Sequence, residues 1–107
     1  MKYLSLMAFI LASVSGSAFA QDSYTLILKD NQFSPKVLEI PAQKKVKLTV
    51  ENHDKTPAEF ESHDLKLEKI ITGGGKAVMY IRPLKAGTYH FFDEFHEKTT
   101  RGKVIVK

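Results

Sequence analysis

Residues 83–96, Pro-Leu-Lys-Ala-Gly-Thr-Tyr-His-Phe-Phe-Asp-Glu-Phe-His, decide how this chain folds. A turn rich in Pro and Gly comes first, and the residues after it alternate between polar and aromatic side chains. This period of two predicts a β-strand in which Tyr89 and Phe91 face the core. Asp93 continues the same row, so we expect an acidic side chain where a core-facing row ends.

The same period of two recurs along the rest of the chain. It is clearest in residues 46–51, where apolar and polar side chains alternate strictly. Candidate strands follow one another about every ten residues with Gly or Pro between them, and no segment predicts an amphipathic helix of the usual length. The pattern predicts an all-β sandwich or barrel, with further strands in residues 24–28, 37–40, 77–82 and 103–107.

The first twenty residues have the features of a secretory signal peptide. Lys2 precedes an apolar run, and small residues stand at Ala18 and Ala20, where signal peptidase requires them. The alternative is a membrane anchor, but the apolar run is shorter than the ~20 residues that span a bilayer. We therefore predict cleavage after Ala20, one domain in residues 21–107, an exported product and no direct membrane insertion.

Composition excludes several classes of protein. The chain has no Cys, which rules out disulfide scaffolds, thiolate zinc sites, iron–sulfur clusters and cysteine nucleophiles. Its 16 Lys and Arg residues against 12 Asp and Glu give a formal net charge of +4, without a basic run interleaved with aromatic residues. Nucleic-acid binding is therefore not expected, and the absence of a Gly-x-Ser-x-Gly motif disfavours a serine hydrolase.

Acidic and imidazole side chains are concentrated in residues 59–64 and 90–97. Residues 93–97 alone carry four potential ligands in five positions. Carboxylate and imidazole donors suit iron, Cu(II), Mn or Zn better than Cu(I). Two interpretations remain open at this point: a metal site, or charges on a solvated loop.

The order of residues resembles the cupredoxin family over residues 24–107. The resemblance rests on a strand ending at Asn52 and on three short motifs: Phe33-Ser34-Pro35, Pro83-x-x-x-Gly87-x-Tyr89-x-Phe91 and Gly102-x-Val104-x-Val106. It implies a cupredoxin-like Greek-key β-sandwich with a metal at one pole.

Blue-copper members of that family continue with Cys-x-x-His and then a Met. Here Asp93 stands at the Cys position, His96 matches the His, and no Met lies between His96 and Gly102. Because the copper–thiolate bond defines a blue-copper centre, electron transfer of that kind is not expected.

The departures from the blue-copper pattern resemble EfeO-type cupredoxin-like domains of bacterial ferrous-iron uptake. The matching segments are residues 58–62, Ala-Glu-Phe-Glu-Ser, the pair Glu68-Lys69 and residues 93–96, Asp-Glu-Phe-His. This resemblance implies an iron and/or copper ion with Glu59 and Asp93 as ligands, and the wider cupredoxin motif adds His96. Glu61, Glu94 and His90 rank below these three.

The resemblance also implies a location and a function. We expect a periplasmic protein that binds ferrous iron, assists its oxidation and passes it to a membrane iron permease, alongside other iron-uptake components. Enzyme status stays open, because one mononuclear centre accepts only one electron. The alternatives are a periplasmic copper(II) carrier and a metal-free interaction module that docks on a membrane partner.

Strand parity raises a difficulty for the ligand set. Phe60 should face the core, which turns Glu59 and Glu61 to the opposite side, whereas Asp93 lies on an inward row. Either a bulge near Pro57 re-aims Glu59, or the carboxylates form more than one site.

Overall fold

The structure is a computed structural model that describes residues 22–107. The predicted signal peptide lies outside these residues. The strands are β1 (Asp22–Lys29), β2 (Gln32–Ser34), β3 (Val37–Ile40), β4 (Val46–Asn52), β5 (Ala58–Ser62), β6 (Leu67–Ile71), β7 (Lys76–Ile81), β8 (Gly87–Asp93) and β9 (Arg101–Val106). A short 3-10 helix, Glu94–His96, follows β8.

The nine strands form two sheets. One has the order β2-β1-β4-β7 and the other β3-β9-β8-β5-β6. Strands β1 and β4 run parallel, as do β3 and β9, and the remaining pairs are antiparallel. This arrangement confirms the predicted all-β Greek-key sandwich. Within residues 22–107 no helix has the length and apolar character needed to cross a bilayer.

The core lies between the two sheets and contains the side chains that the alternating pattern predicts to face inward. Val46, Leu48 and Val50 on β4 are all fully buried. Phe33, Phe60 and Phe91 pack together at its centre, with ring centroids 5.0 to 6.2 Å apart. Burial of one such ring contributes about 1.5–3 kcal/mol, so these contacts stabilise the alignment of β5 with β8.

Three strands, β2, β5 and β6, were not singled out by periodicity. Strand β2 is only three residues long, and β6 lies at the edge of its sheet with three consecutive exposed residues. An edge strand next to solvent does not need a strict apolar alternation, so β6 has a weak sequence signal. This matters for the site, because β6 carries Glu68.

A buried amide holds together the loops at one end of the sandwich. Asn52 is fully buried, and its Nδ2 donates to the carbonyl oxygens of Thr56, Ile71 and Thr72 at 2.9, 3.2 and 3.3 Å. Its Oδ1 accepts from the Asp54 backbone amide at 3.0 Å. These bonds connect the end of β4 to the end of β6, and so fix the position of the edge strand.

The neighbouring Asp54 has a comparable structural role. Its carboxylate oxygens accept hydrogen bonds from the backbone amides of Asp30 and Asn31 at 2.7 and 3.0 Å. Both of these residues have positive φ, at 52° and 58°. Asp and Asn tolerate that conformation better than most residues, so the turn between β1 and β2 matches its sequence.

Candidate metal-binding site

Three carboxylates meet on the outer face of the five-stranded sheet. Glu59 and Glu61 lie on the same side of β5 because Phe60 between them faces the core. Glu68 on β6 is the direct cross-strand partner of Glu61. One carboxylate oxygen from each side chain lies within 4.8 Å of the others, and no other group of three or more His, Asp or Glu side chains in residues 22–107 does so. We call Glu59, Glu61 and Glu68 the carboxylate triad.

The carboxylates of the triad raise the pKa of two of its members, Glu59 and Glu61. A hydrogen bond with the Glu68 carboxyl, together with burial and the repulsion of Glu68, Glu94 and Glu61, raises the pKa of Glu59 to about 7. Burial and the nearby Glu68 also raise the pKa of Glu61. Near neutral pH the cluster therefore still tends to hold a proton. A bound cation would replace that proton and remove the repulsion.

The surface beside the triad also carries one imidazole. His63 Nδ1 lies 3.8 Å from Glu61 Oε2, and the His63 side chain is 79% exposed. Glu61, His63, Lys66 and Glu68 line an open depression of about 300 Å³. The depression opens two of the three carboxylates, Glu61 and Glu68, to solvent.

Asp93 lies in a different environment, at the pole of the sandwich. It is buried, and its Oδ1 accepts hydrogen bonds from the backbone amides of Glu59 and Phe95, both at 3.0 Å. Its Oδ2 lies 3.1 Å from Nδ1 of His96. Asp93 thus caps the 3-10 helix and connects it to β5, which is what an acceptor at this position is suited to do.

The predicted ligands fall into two places. Glu59 and Glu61 lie together in the triad, and the Glu94 charge is close enough to raise the pKa of Glu59. Asp93 and His96 pair with each other, and the contact between Asp93 and Glu59 is made through the Glu59 backbone rather than its carboxylate. Metal binding by Asp93, His96 and Glu94 stays a prediction.

The parity difficulty has a simple geometric answer. Residues 58–62 of β5 pair with β6 in unbroken register, so no bulge turns Glu59 inward. Phe60 is opposite Asp93 on β8, and opposed residues point to the same face, so Asp93 faces inward and Glu59 outward. The carboxylates therefore form two separate groups.

Glu68 is the member of the triad that reasoning from the sequence did not rank as a ligand. Its only signal was its place in the pattern that resembles EfeO-type domains. Its position opposite Glu61 depends on the register of β6, an edge strand without a clear alternation.

Solved structures with the same fold include several copper proteins. The chain is similar to auracyanin A, a "blue" copper protein from Chloroflexus aurantiacus, with a TM-score of 0.72 and 14% identity over 82% of this chain and 100% of that one. It is also similar to the metal-binding domain of the Cu(I)-exporting P-type ATPase CopA from Streptococcus pneumoniae D39, solved with Cu(I). That match has a TM-score of 0.66 and 14% identity over 79% of this chain and 84% of the other. At these identities the likeness shows the fold alone.

A relative with a similar sequence occurs in Rickettsia prowazekii (strain Madrid E). This uncharacterized protein is 36% identical over 107 residues, which span 97% of this chain and 85% of the relative. A family model described as a cupredoxin-like domain matches residues 2–106. This match over nearly the whole chain, together with the sandwich topology, shows that the chain belongs to the cupredoxin-like domain family.

Proposed function

We propose that this protein is an exported metal-binding protein that holds an iron or copper ion on the carboxylate triad. The observation that carries the proposal is the convergence of Glu59, Glu61 and Glu68, with the raised pKa of Glu59 as its electrostatic consequence. Three carboxylates gathered at the edge of the sheet, with Glu68 exposed, Glu59 half-buried and Glu61 buried, form a site that a cation stabilises.

The donor set favours particular ions and oxidation states. Carboxylate oxygens are hard ligands that suit Cu(II) and iron, whereas Cu(I) prefers thiolate and thioether sulfur. The chain has no Cys, and Met79 is buried in the core. The triad thus fits Cu(II), Fe(II) or Fe(III), and the copper sites of the structural neighbours support a metal-binding role for the fold.

The resemblance to EfeO-type domains extends the proposal to iron uptake. Anionic oxygen ligands stabilise Fe(III) more than Fe(II), so binding at the triad would favour oxidation of the bound iron. The electron leaves to dioxygen or to a redox protein outside this chain. In this proposal the protein acts in the periplasm and passes iron to a membrane permease.

A copper(II) carrier is the second candidate, and the copper-binding neighbours favour it. It would use the same triad without a change in oxidation state. Competition between Cu(II) and anaerobic Fe(II) for the purified protein separates the two, because a carrier of copper alone would show no measurable affinity for iron.

The test of the triad is a metal titration of three single variants: Glu59→Gln, Glu61→Gln and Glu68→Gln. Each should weaken Cu(II) and Fe(II) binding by at least about tenfold, a loss of ~1.4 kcal/mol. Glu39→Gln is the matched control, since Glu39 is exposed on β3 of the same sheet and pairs with Lys107. Unchanged affinity in all three variants would refute the proposal.

Thermal unfolding gives a second readout of binding. An ion present at about 100 times its Kd should stabilise the native protein by about 2.7 kcal/mol, and the triad variants should lose this gain. A wild-type protein that neither binds these ions nor gains stability from them would support the metal-free interaction module.

A further inference from the structure

The outer face of the five-stranded sheet carries an acidic cluster at one side and mostly basic side chains at the other, where the acidic Glu39 is paired with Lys107. Strands β5 and β6 carry the carboxylate triad at one side. Lys36, Arg101 and Lys103 lie at the other side, where they line a groove of about 270 Å³ together with Val37 and His90. In residues 22–107 none of these three cationic side chains makes an ion pair with an acidic one.

The strand register places the opposite charges in one row. Glu68 pairs with Glu61 across β6 and β5, Glu61 pairs with Phe92 across β5 and β8, and Phe92 pairs with Arg101 across β8 and β9. The row therefore runs from two acids through an aromatic ring to a guanidinium group. Cross-strand neighbours in such a row lie about 5 Å apart.

The centre of the row is apolar. Phe92 points to the outer face, where its neighbours in the same chain leave it only 6% exposed. The Arg101 guanidinium lies 5.1 Å from the Phe92 ring centroid. The ring centroids of His63 and Phe92 are 5.7 Å apart. The middle of this face is therefore an aromatic ring covered by Arg101 and His63, with opposite charges on its two sides.

We propose that this face binds the same face of a second copy of the chain, around a two-fold axis parallel to β8. Such an axis places β9 of each copy over β5 of the other. Arg101 of one copy then lies opposite Glu61 of the other, the two Phe92 rings lie near the axis, and both contacts occur twice. An interface between identical surfaces requires complementary charges on the two sides of the axis, which this face has.

The size of the face indicates a weak dimer. Five strands spaced about 4.8 Å apart, with about six residues each, cover on the order of 500 Å² per copy. Stable interfaces bury about 800 Å² per partner. The association should therefore depend on ionic strength, because much of the attraction comes from exposed charges that salt screens.

The experiment is sedimentation equilibrium of the purified protein, with charge-reversed variants. The wild type should form dimers at about 20 mM salt and dissociate at about 500 mM salt. Arg101→Glu places an acidic side chain opposite Glu61 of the second copy, and the double variant Glu61→Lys/Glu68→Lys places a basic side chain opposite Arg101. Each variant alone should be monomeric, and an equimolar mixture of the two should form a heterodimer at low salt.

Two further variants keep the result interpretable. Lys76→Glu changes the charge by the same amount on β7 of the opposite sheet and should leave the dimer intact. Arg101 also donates to the Glu97 carbonyl oxygen, so Lys36→Glu provides a second charge reversal on the basic side if Arg101→Glu fails to fold.

The proposal does not depend on metal binding, and three results would overturn it. A wild-type protein that stays monomeric at low salt has no such interface. A dimer that survives Arg101→Glu or high salt uses another surface. Failure of the two oppositely charged variants to associate on mixing would show that the acidic and basic sides do not face each other.

Discussion

The role of Asp93 can be decided by two substitutions that differ in what they remove. Asp93→Ala deletes the side chain, whereas Asp93→Asn keeps an oxygen that can accept the hydrogen bonds from the Glu59 and Phe95 amides. We expect both variants to retain the fold but to differ widely in stability.

The magnitudes follow from the hydrogen bonds of this buried side chain. Removing it leaves two backbone N–H groups without their acceptor, and each unsatisfied buried donor costs about 1–3 kcal/mol. Asp93→Ala should thus lower the free energy of unfolding by about 2–6 kcal/mol. Asp93→Asn keeps an acceptor oxygen but loses the negative charge that strengthens these hydrogen bonds. It should lower the free energy of unfolding by less than about 1.5 kcal/mol.

Urea unfolding monitored by far-UV circular dichroism and tyrosine fluorescence measures both values, since the chain has four Tyr and no Trp. If the two variants are equally stable to within about 0.5 kcal/mol, the hydrogen bonds of Asp93 do not hold the pole together.

Metal titration of Asp93→Asn supplies the second half of the test. Affinity within about threefold of the wild type is expected. Loss of binding in this variant would instead make Asp93 a ligand, as the family resemblance implies.

Three further predictions concern the triad and the packing around it. Metal affinity should rise by roughly tenfold between about pH 6 and pH 8, because a proton must leave Glu59, whose pKa is about 7, and Glu59→Gln should flatten this profile in competition titrations. In the metal-free protein the Glu59 carboxyl should make the free energy of unfolding fall as the pH rises from 4.5, the ordinary pKa of this group, to about 7, because the folded state binds the proton more tightly across that range. Chemical denaturation of the wild type and of Glu59→Gln at a series of pH values measures the effect. Gly102→Ala should cost about 1–3 kcal/mol in the same assay, because a Cβ atom there would lie 2.5 Å from the Phe91 ring and 2.8 Å from the Lys36 carbonyl oxygen.

Much of the sandwich could be predicted because its strands alternate clearly. Residues 46–51 have one apolar and one polar face, and β4 in the structure begins and ends within one residue of that range. The inward row of Tyr89, Phe91 and Asp93 was predicted from parity and is confirmed by the burial of Phe91 and Asp93. Period-two reasoning needs only neighbouring residues along one strand, so it works without knowledge of the topology.

The site was harder to predict because it depends on pairing between strands. Parity correctly separated Glu59 from Asp93, but it could not show that Glu68 lies opposite Glu61. That contact depends on the register of β6, which the buried Asn52 helps to fix through a hydrogen bond to the Ile71 carbonyl oxygen. A single sequence carries no direct signal for a long-range bond of this kind.

The position of the triad has a consequence for how an ion would enter and leave. At the Cys position of the blue-copper pattern this chain has Asp93, whose oxygens are already engaged by two backbone amides and a His96 nitrogen. The triad lies instead on the outer face of the sheet, open to solvent through its neighbouring depression. An ion held there, with the exposed Glu68 as one donor, can exchange with a partner, whereas a buried thiolate centre retains its metal and exchanges electrons. The geometry therefore favours transfer of the ion itself as the activity to test first.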